Sequence, residues 1–232
     1  STAHRRDMLK AVGVGAIGLS GLANATGRVS ADQIAIKDWN DLRSLKPGQD
    51  HTLVTDLDAD TPGYEEHVEE PAGGWEPLDK TFVTLNGNGH TISDLVIDRS
   101  DEDDIGLFGR LETGAIENLS VRDAEITGGG NVGTLVGYGN AVSVINSDTT
   151  GSVSGDAGVG GFIGFMENGG DIEDSYTEQQ VTGGTAGGLV GSTVRGVVSN
   201  SYATGPVDGS TAGGLVGGSS EGTIRESYAT GT

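Results

Sequence analysis

Apolar residues recur along this chain in columns. Leu107, Leu135, Phe162, Leu189 and Leu215 stand 28, 27, 27 and 26 residues apart. Each sits in a glycine-flanked run. Gly187-Gly188-Leu189-Val190-Gly191 is repeated letter for letter as Gly213-Gly214-Leu215-Val216-Gly217. Gly160-Gly161-Phe162-Ile163-Gly164 and Gly133-Thr134-Leu135-Val136-Gly137 are variants, and Gly106-Leu107-Phe108-Gly109 is a shorter form. Ile116, Val144, Ile172, Val198 and Ile224 make a second column, and Ile126, Val153, Val181 and Val207 a third. Three apolar positions per period, separated by glycine, predict three strands of three to five residues bounded by turns, since glycine disfavours helix.

A coil of this length cannot bury its apolar face alone and must stack on the next. Equivalent strands then pair in parallel about 4.8 Å apart. The pattern therefore predicts an all-β fold: a right-handed, three-sided parallel β-helix (β-solenoid) with a short N-terminal capping helix. The hand follows from the right-handedness of about 98% of parallel crossovers. Glu117, Ile145, Glu173, Ser199 and Arg225 share a column without a common character, which predicts an outward face. Glycine makes up 42 of 232 residues. A flexible linker would not keep apolar residues in register over five periods. The glycines are expected at corners, where positive φ and close backbone approach are needed.

The run Gly-Gly-Leu-Val-Gly, followed by Gly-x-Ile-x-x-Ser-Tyr-Ala-Thr-Gly, resembles the GLUG-motif repeat of exported bacterial and archaeal surface proteins, adhesin-like ones among them. The match is best over 187–209 and 213–231 and extends from about Lys80 to Thr232. Leu85-Asn86-Gly87-Asn88-Gly89-His90-Thr91-Ile92 resembles the segment that precedes such repeats. The resemblance implies architecture more than activity, since one fold hosts many functions.

Residues 1–25 read as an export signal. Arg5-Arg6 precedes an apolar run, Ala11 to Ala23, too short for a bilayer, which needs about 20 residues. Ala23-Asn24-Ala25 fits a cleavage site. The arginine pair resembles a twin-arginine translocation signal, and the alternative is a buried helix. There is no cysteine, which excludes a lipobox anchor and a disulfide. After cleavage, 10 basic residues face 33 acidic ones, a net −23. That charge disfavours nucleic acid and anionic membranes. The acids are dispersed, which fits a halophilic surface better than one ion site. Together with the signal, this resembles an exported haloarchaeal protein.

Residues 26–80 are read as an N-terminal cap and acidic loop, and 81–232 as the solenoid. Ile36, Trp39, Leu42 and Leu45 are spaced for a short amphipathic helix stopping near Pro47-Gly48, and His51 to Leu57 reads as a strand. The helix would cover the open first coil, with Trp39 and Trp75 packed there. Stacking of either tryptophan on a sugar is the alternative. The stop at Thr232 within a repeat, with nothing after Tyr228 to cap the last coil, implies a longer parent protein or end-to-end assembly.

Candidate chemistry is sparse. Asp56-x-Asp58-x-Asp60 lacks the Gly and Glu an EF-hand loop requires, with Thr61 and His67 in those places, which leaves a looser calcium site with Glu65 or Glu66 against a solvated loop. Asp101-Glu102-Asp103-Asp104 is read in the same way. His51, His67 and His90 lack metal-ligand spacing. Arg110, Arg122, Arg195 and Arg225 are the only bases in the repeats, without a nucleophile elbow or zinc motif. No catalytic, cofactor-binding or metal residue is singled out, and no cofactor is expected beyond loosely bound calcium. Tyr176, Tyr202 and Tyr228 are expected to stack, structurally or as a stripe for a glycan face. Asn118 fits both a glycosylation sequon and a corner role, and the corner is preferred. The expected function is a non-enzymatic, exported surface repeat protein for adhesion, matrix or display. Its partners would be a cell-surface glycan or protein, or itself through the open end. The alternative is a carbohydrate-binding module or polysaccharide-degrading enzyme on the same scaffold.

Overall fold

The structure, a computed structural model, describes residues 33–231. The signal at 1–25 lies outside the described residues, as does the start of the 26–80 segment.

The chain winds into a parallel β-solenoid of about six coils. Residues one lap apart are vertical neighbours. Ile116, Val144, Ile172, Val198 and Ile224 are successive register partners. So are Ile126, Val153, Val181 and Val207. The Leu189 N–H donates to the Leu215 carbonyl at 2.8 Å, and Phe162 donates to Leu189 at 2.9 Å. The columns are buried down to Val198, at 1% exposure, while Ile224 in the last coil is 49% exposed.

Among the described residues the strands gather in two sheets of 11. In the earlier coils each sheet receives one long bent run per lap, such as Phe108–Glu117 and Ser120–Gly128. In later coils the runs split, as in Ile163–Glu167 and Asp171–Glu173. The short strands expected from three columns are thus segments of longer runs, bent by single residues. Phe108, Val121 and Val132 belong to additional interior columns that the spacing did not bring out, above Leu78, Ile92 and Ile105.

The bends correct the expected role of glycine. Positive φ falls on Asn118 (53°), Asn146 (47°), Asp174 (52°), Asn200 (49°) and Glu226 (50°), one per coil. A second row is Thr113, Ala141, Asn168, Arg195 and Glu221. Short Asn and Asp side chains tolerate the left-handed region and return a local hydrogen bond. Here the bond is vertical: Asn146 Nδ2 donates to Asn118 Oδ1 at 2.7 Å, and Asn118 Nδ2 to Asn86 Oδ1 at 3.3 Å. The repeated glycines serve close approach instead. A Cβ on Gly187 would lie 2.0 Å from the Val190 carbonyl oxygen, and one on Gly188 2.2 Å from that of Gly214. A Cβ on Gly191 would meet the Gly164 oxygen and the Val159 nitrogen at 2.5 Å, where the two sheets come together. Each glycine of the pentapeptide excludes a side chain in a different direction.

The lead-in segment covers the first coil. Its helix is shorter than the spacing suggests, Trp39–Arg43, capped by Asp38, whose Oδ1 accepts from the Asp41 N–H. Ile36 belongs instead to the strand Ile34–Ile36, which pairs with Asp50–Leu53 at the sheet edge. Trp39 and Trp75 are fully buried, 5.7 Å apart, and their Nε1 atoms donate to the carbonyls of Asp58 and Leu107. Both rings pack in the core, with no face left for a sugar.

One interior site is polar. Thr134 replaces the second glycine of its pentapeptide. Its hydroxyl and that of Thr149 donate to Gln179 Oε1 at 3.1 and 3.0 Å, and Gln179 Nε2 lies 2.7 Å from Thr134 Oγ1. All three side chains are buried. Buried amides are tolerated when satisfied in this way.

Gly188→Ala is expected to lower stability by about 1–3 kcal/mol, the usual cost of over-packing. Asn200→Gly, which keeps the positive φ available, should change it far less. Urea unfolding midpoints compare the two, and equal midpoints would contradict the close-approach account.

Candidate functional site

The most regular chemistry outside the core lies at the corner after the Ile/Val column, where the sequence reads Ser-Tyr. Ser147, Ser175, Ser201 and Ser227 form a ladder. Each Oγ donates to the carbonyl two residues back: Ser175 to Glu173 at 2.7 Å, Ser201 to Ser199 at 2.7 Å. Each also accepts an N–H from the coil before it, as Ser175 Oγ does from the Ser147 N–H at 3.1 Å. The pattern continues from Ser175 to Ser201 and from Ser201 to Ser227. These serines satisfy a buried turn that strand pairing leaves open. The ladder was missed in the sequence, although its spacing of 28, 26 and 26 residues is visible there. Ser199, expected to face water, is buried, with its carbonyl held by Ser201.

The tyrosines beside the serines stack. Tyr176 and Tyr202 lie 4.8 Å apart at 5°, Tyr202 and Tyr228 5.1 Å apart at 6°. That distance equals the strand spacing, so the rings lie across the solenoid axis and cover one another's faces. A stripe that receives a sugar on open ring faces is therefore not what the ladder offers. Both faces of Tyr202 are covered, while the outer face of Tyr228, 55% exposed, and the face of Tyr176 toward Asp148 carry no ring among the described residues. Burial, with Tyr176 and Tyr228 alongside, pushes the Tyr202 phenol above its ordinary range, so that hydroxyl keeps its proton at neutral pH.

Below Tyr176 the same register position holds Asp148 and then Ser120. Ser120 Oγ donates to Asp148 Oδ1 at 2.8 Å, and Arg122 forms an ion pair with Asp148 Oδ2. Nothing in the spacing of Arg122 and Asp148 signalled this pair. With small residues there, the surface drops into an open groove of about 390 Å³ lined by Asn88, Gly89, Asn118, Ser120, Asn146 and Asp148. Asn118 holds its corner, with its amide engaged above and below.

A second cluster occupies the opposite sheet. Arg110 pairs with Asp104 at 2.7 Å and lies 4.2 Å over the Tyr138 ring, which stacks on Phe165. The Tyr138 hydroxyl bonds to Glu167, and that bond, then burial, raises the phenol above its usual range. Both carboxylates are thus engaged by neighbours.

The remaining candidates stay apart. Asp56 Oδ1 accepts from the Thr91 N–H and faces His90 Nδ1, while Asp58 Oδ1 accepts from Asp60 and Thr61. Glu65 and Glu66 lie on a π-helical turn, Glu65–Glu69. Asp103 accepts from Gly130, and Asp104 serves Arg110. His67 bonds to Asn40, and buried His51 accepts from the Lys46 N–H. Arg195 donates to Asn168 at 2.7 Å, and Arg225 lies on the last coil. Among the described residues, no three His, Asp or Glu side chains are grouped to hold a metal ion. None of their helices is long and apolar enough to cross a membrane.

No protein-family profile matches the chain. It is 39% identical over 144 residues, 59% of its length, to Halomucin of Haloquadratum walsbyi. It is 40% identical over 101 residues to a protein of Evansella cellulosilytica provisionally described as a Gly-rich membrane protein. The chain spans about 2% and 11% of the lengths of these relatives. Its fold is similar to the crystal structure of a chain from Bacteroides ovatus, provisionally described as an immunoglobulin A1 protease. The TM-score is 0.67 at 20% identity, covering 89% of this chain and 68% of that one. At that identity the likeness concerns the fold alone.

Two substitutions test the corner. Ser175→Ala leaves the buried Ser147 N–H without an acceptor and should cost about 1–3 kcal/mol, whereas Ser227→Ala in the exposed last coil should cost little. Chemical denaturation reads the difference. Burial, and secondarily Asp50, raises the Glu117 carboxyl above its ordinary range. The folded chain then holds that proton more tightly than the unfolded one, so stability falls as pH rises through the carboxylate range. Glu117→Gln should raise the thermal midpoint at neutral pH, with the gain fading below about pH 4.

Proposed function

We propose that this chain is part of an exported, non-enzymatic surface repeat protein that acts as a passive rod in adhesion, matrix formation or display. The observation that carries the reading is the vertical continuity of the stack. Asn118, Asn146, Ser120, Asp148, Arg122, Arg110 and Tyr138 are each tied to a residue a lap away or to a neighbour, which supports a passive outer surface. The likeness to Halomucin supports a haloarchaeal surface setting. The net charge of −21 supports it too, since dispersed acids repel one another least where salt screens them. The GLUG-type identity of the repeats is part of this proposal and rests on 187–209 and 213–231. Cleavage after Ala25 by twin-arginine export is part of it too, and rests on Arg5-Arg6, the apolar run after them and Ala23-Asn24-Ala25. The partners in this reading are a surface glycan or protein, or another copy meeting the exposed last coil.

A polysaccharide-degrading enzyme is the competing reading. The cluster of Asp104, Arg110, Tyr138 and Glu167 is the observation in its favour, because it brings two carboxylates and an arginine to one face.

Export separates these ideas from an intracellular role. In a haloarchaeal host, the full chain should be labelled on whole cells by a membrane-impermeant amine reagent, and Arg5→Lys with Arg6→Lys should hold it inside. Labelling equal to that of a cytoplasmic control would refute the surface reading. Release of reducing ends or unsaturated products from acidic polysaccharides, with calcium added and lost in Glu167→Gln, would favour the enzyme.

A further inference from the structure

The corner that carries the tyrosines carries two further rows. On one side run Asn118, Asn146, Asp174 and Asn200, each two residues before the Ser120/Asp148/Tyr176/Tyr202 column. On the other run Thr150, Glu178, Thr204 and Thr230, each two residues after it. The groove at Asn118, Asn146 and Asp148 lies on the same line, because Asp148 and Tyr176 are register partners. Tyrosine row and groove are therefore one continuous polar track along the solenoid axis.

The step of the track is one coil, 4.8–5.1 Å between ring centroids. The facing rings from Tyr176 to Tyr228 are filled by stacking, so what the row offers along its length are phenol hydroxyls, threonine hydroxyls and amides. Each amide of the Asn118–Asn146 ladder spends one donor or acceptor per vertical bond and keeps others for a ligand. A globular partner has no repeat to match such a series. An extended β-1,4-linked glycan does, because one pyranose and its equatorial linkage advance the chain by about one strand spacing. The Asp148 charge is neutralised by Arg122, while Asp174, Glu178 and Glu226 make no ion pair among the described residues. Those charges repel uronates and sulfates and leave neutral sugars.

We infer that this corner is a binding track for a neutral, extended β-1,4-linked polysaccharide, laid along the axis with one sugar per coil. The inference rests on the surface-rod reading and names its ligand. Each coil adds a polar subsite at the same register position, so affinity grows with ligand length until the rows end.

The test is isothermal titration of the full exported chain, in high salt, with cello- and chito-oligosaccharides of about two to six units and hexagalacturonate as the anionic comparison. The expected result is a dissociation constant that falls by about tenfold or more from dimer to hexamer in one of the neutral series. Tyr202→Phe keeps the ring stack and removes one hydroxyl. It should weaken hexamer binding several-fold without moving the thermal midpoint, and Phe165→Ser on the other sheet should leave binding unchanged. Absence of hexamer binding at millimolar concentration would overturn the inference. So would affinity independent of length, full affinity in Tyr202→Phe, or tighter binding of hexagalacturonate. Any of these would leave whole-cell labelling, and with it the surface reading, untouched.

Discussion

Leu189 donates its N–H to Leu215 and lends its carbonyl to Phe162 and Ile163, each about one lap away. Hydrogen bonds of this kind, running along the axis from coil to coil, are the constraint from which the rest follows. They hold equivalent residues at strand spacing. At that distance like side chains must be compatible with their own copies. Branched aliphatics pack inside, each serine hydroxyl links a backbone N–H of one coil to a carbonyl of its own, asparagines bond amide to amide, and tyrosines stack. A residue that repels its copy, or is too large for the gap, breaks a ladder instead of a single contact.

That constraint explains why so much was legible in the sequence. Periodic side chains report vertical pairing directly, so the Ile116 and Ile126 columns and the tyrosine ladder could be read before any coordinates. The entry of Trp39 and Trp75 into the core was legible for a different reason, the need to cover an apolar end. What stayed hidden concerns backbone conformation and irregular partners. Glycine signals both left-handed φ and close approach, and composition cannot separate them. The structure assigns φ to Asn118, Asn146 and Asn200, and contact to Gly187, Gly188 and Gly191. Ile36 has helical spacing, yet pairing with the edge at Leu53 draws it into a strand. Arg122 and Asp148 meet only because the register brings neighbouring columns side by side, and the serine ladder went unread because polar columns were judged by chemistry and not by position.

The outer surface shares the logic of the interior. The corner row from Asn118 to Glu226 turns without glycine, vertical amide bonds hold Asn118 and Asn146 in it, and the facing rings of the three tyrosines close on one another. Aromatic residues on a surface are commonly read as invitations to a ligand. Here a fixed lap height spends the ring faces on one another and leaves edges and hydroxyls to solvent. Recognition, if it uses this corner, works through a ruler of polar groups.

The buried knot of Thr134, Thr149 and Gln179 has a meaning of its own. Two pentapeptides in this chain are identical, so hydrocarbon packing alone cannot tell one storey of the tower from the next. In the following laps the place of Gln179 is taken by glycines, Gly205 and Gly231, which bring no amide. A chain threaded one floor out of step would strand the Gln179 carboxamide in oil, far from both threonines. That single misfit numbers the floors.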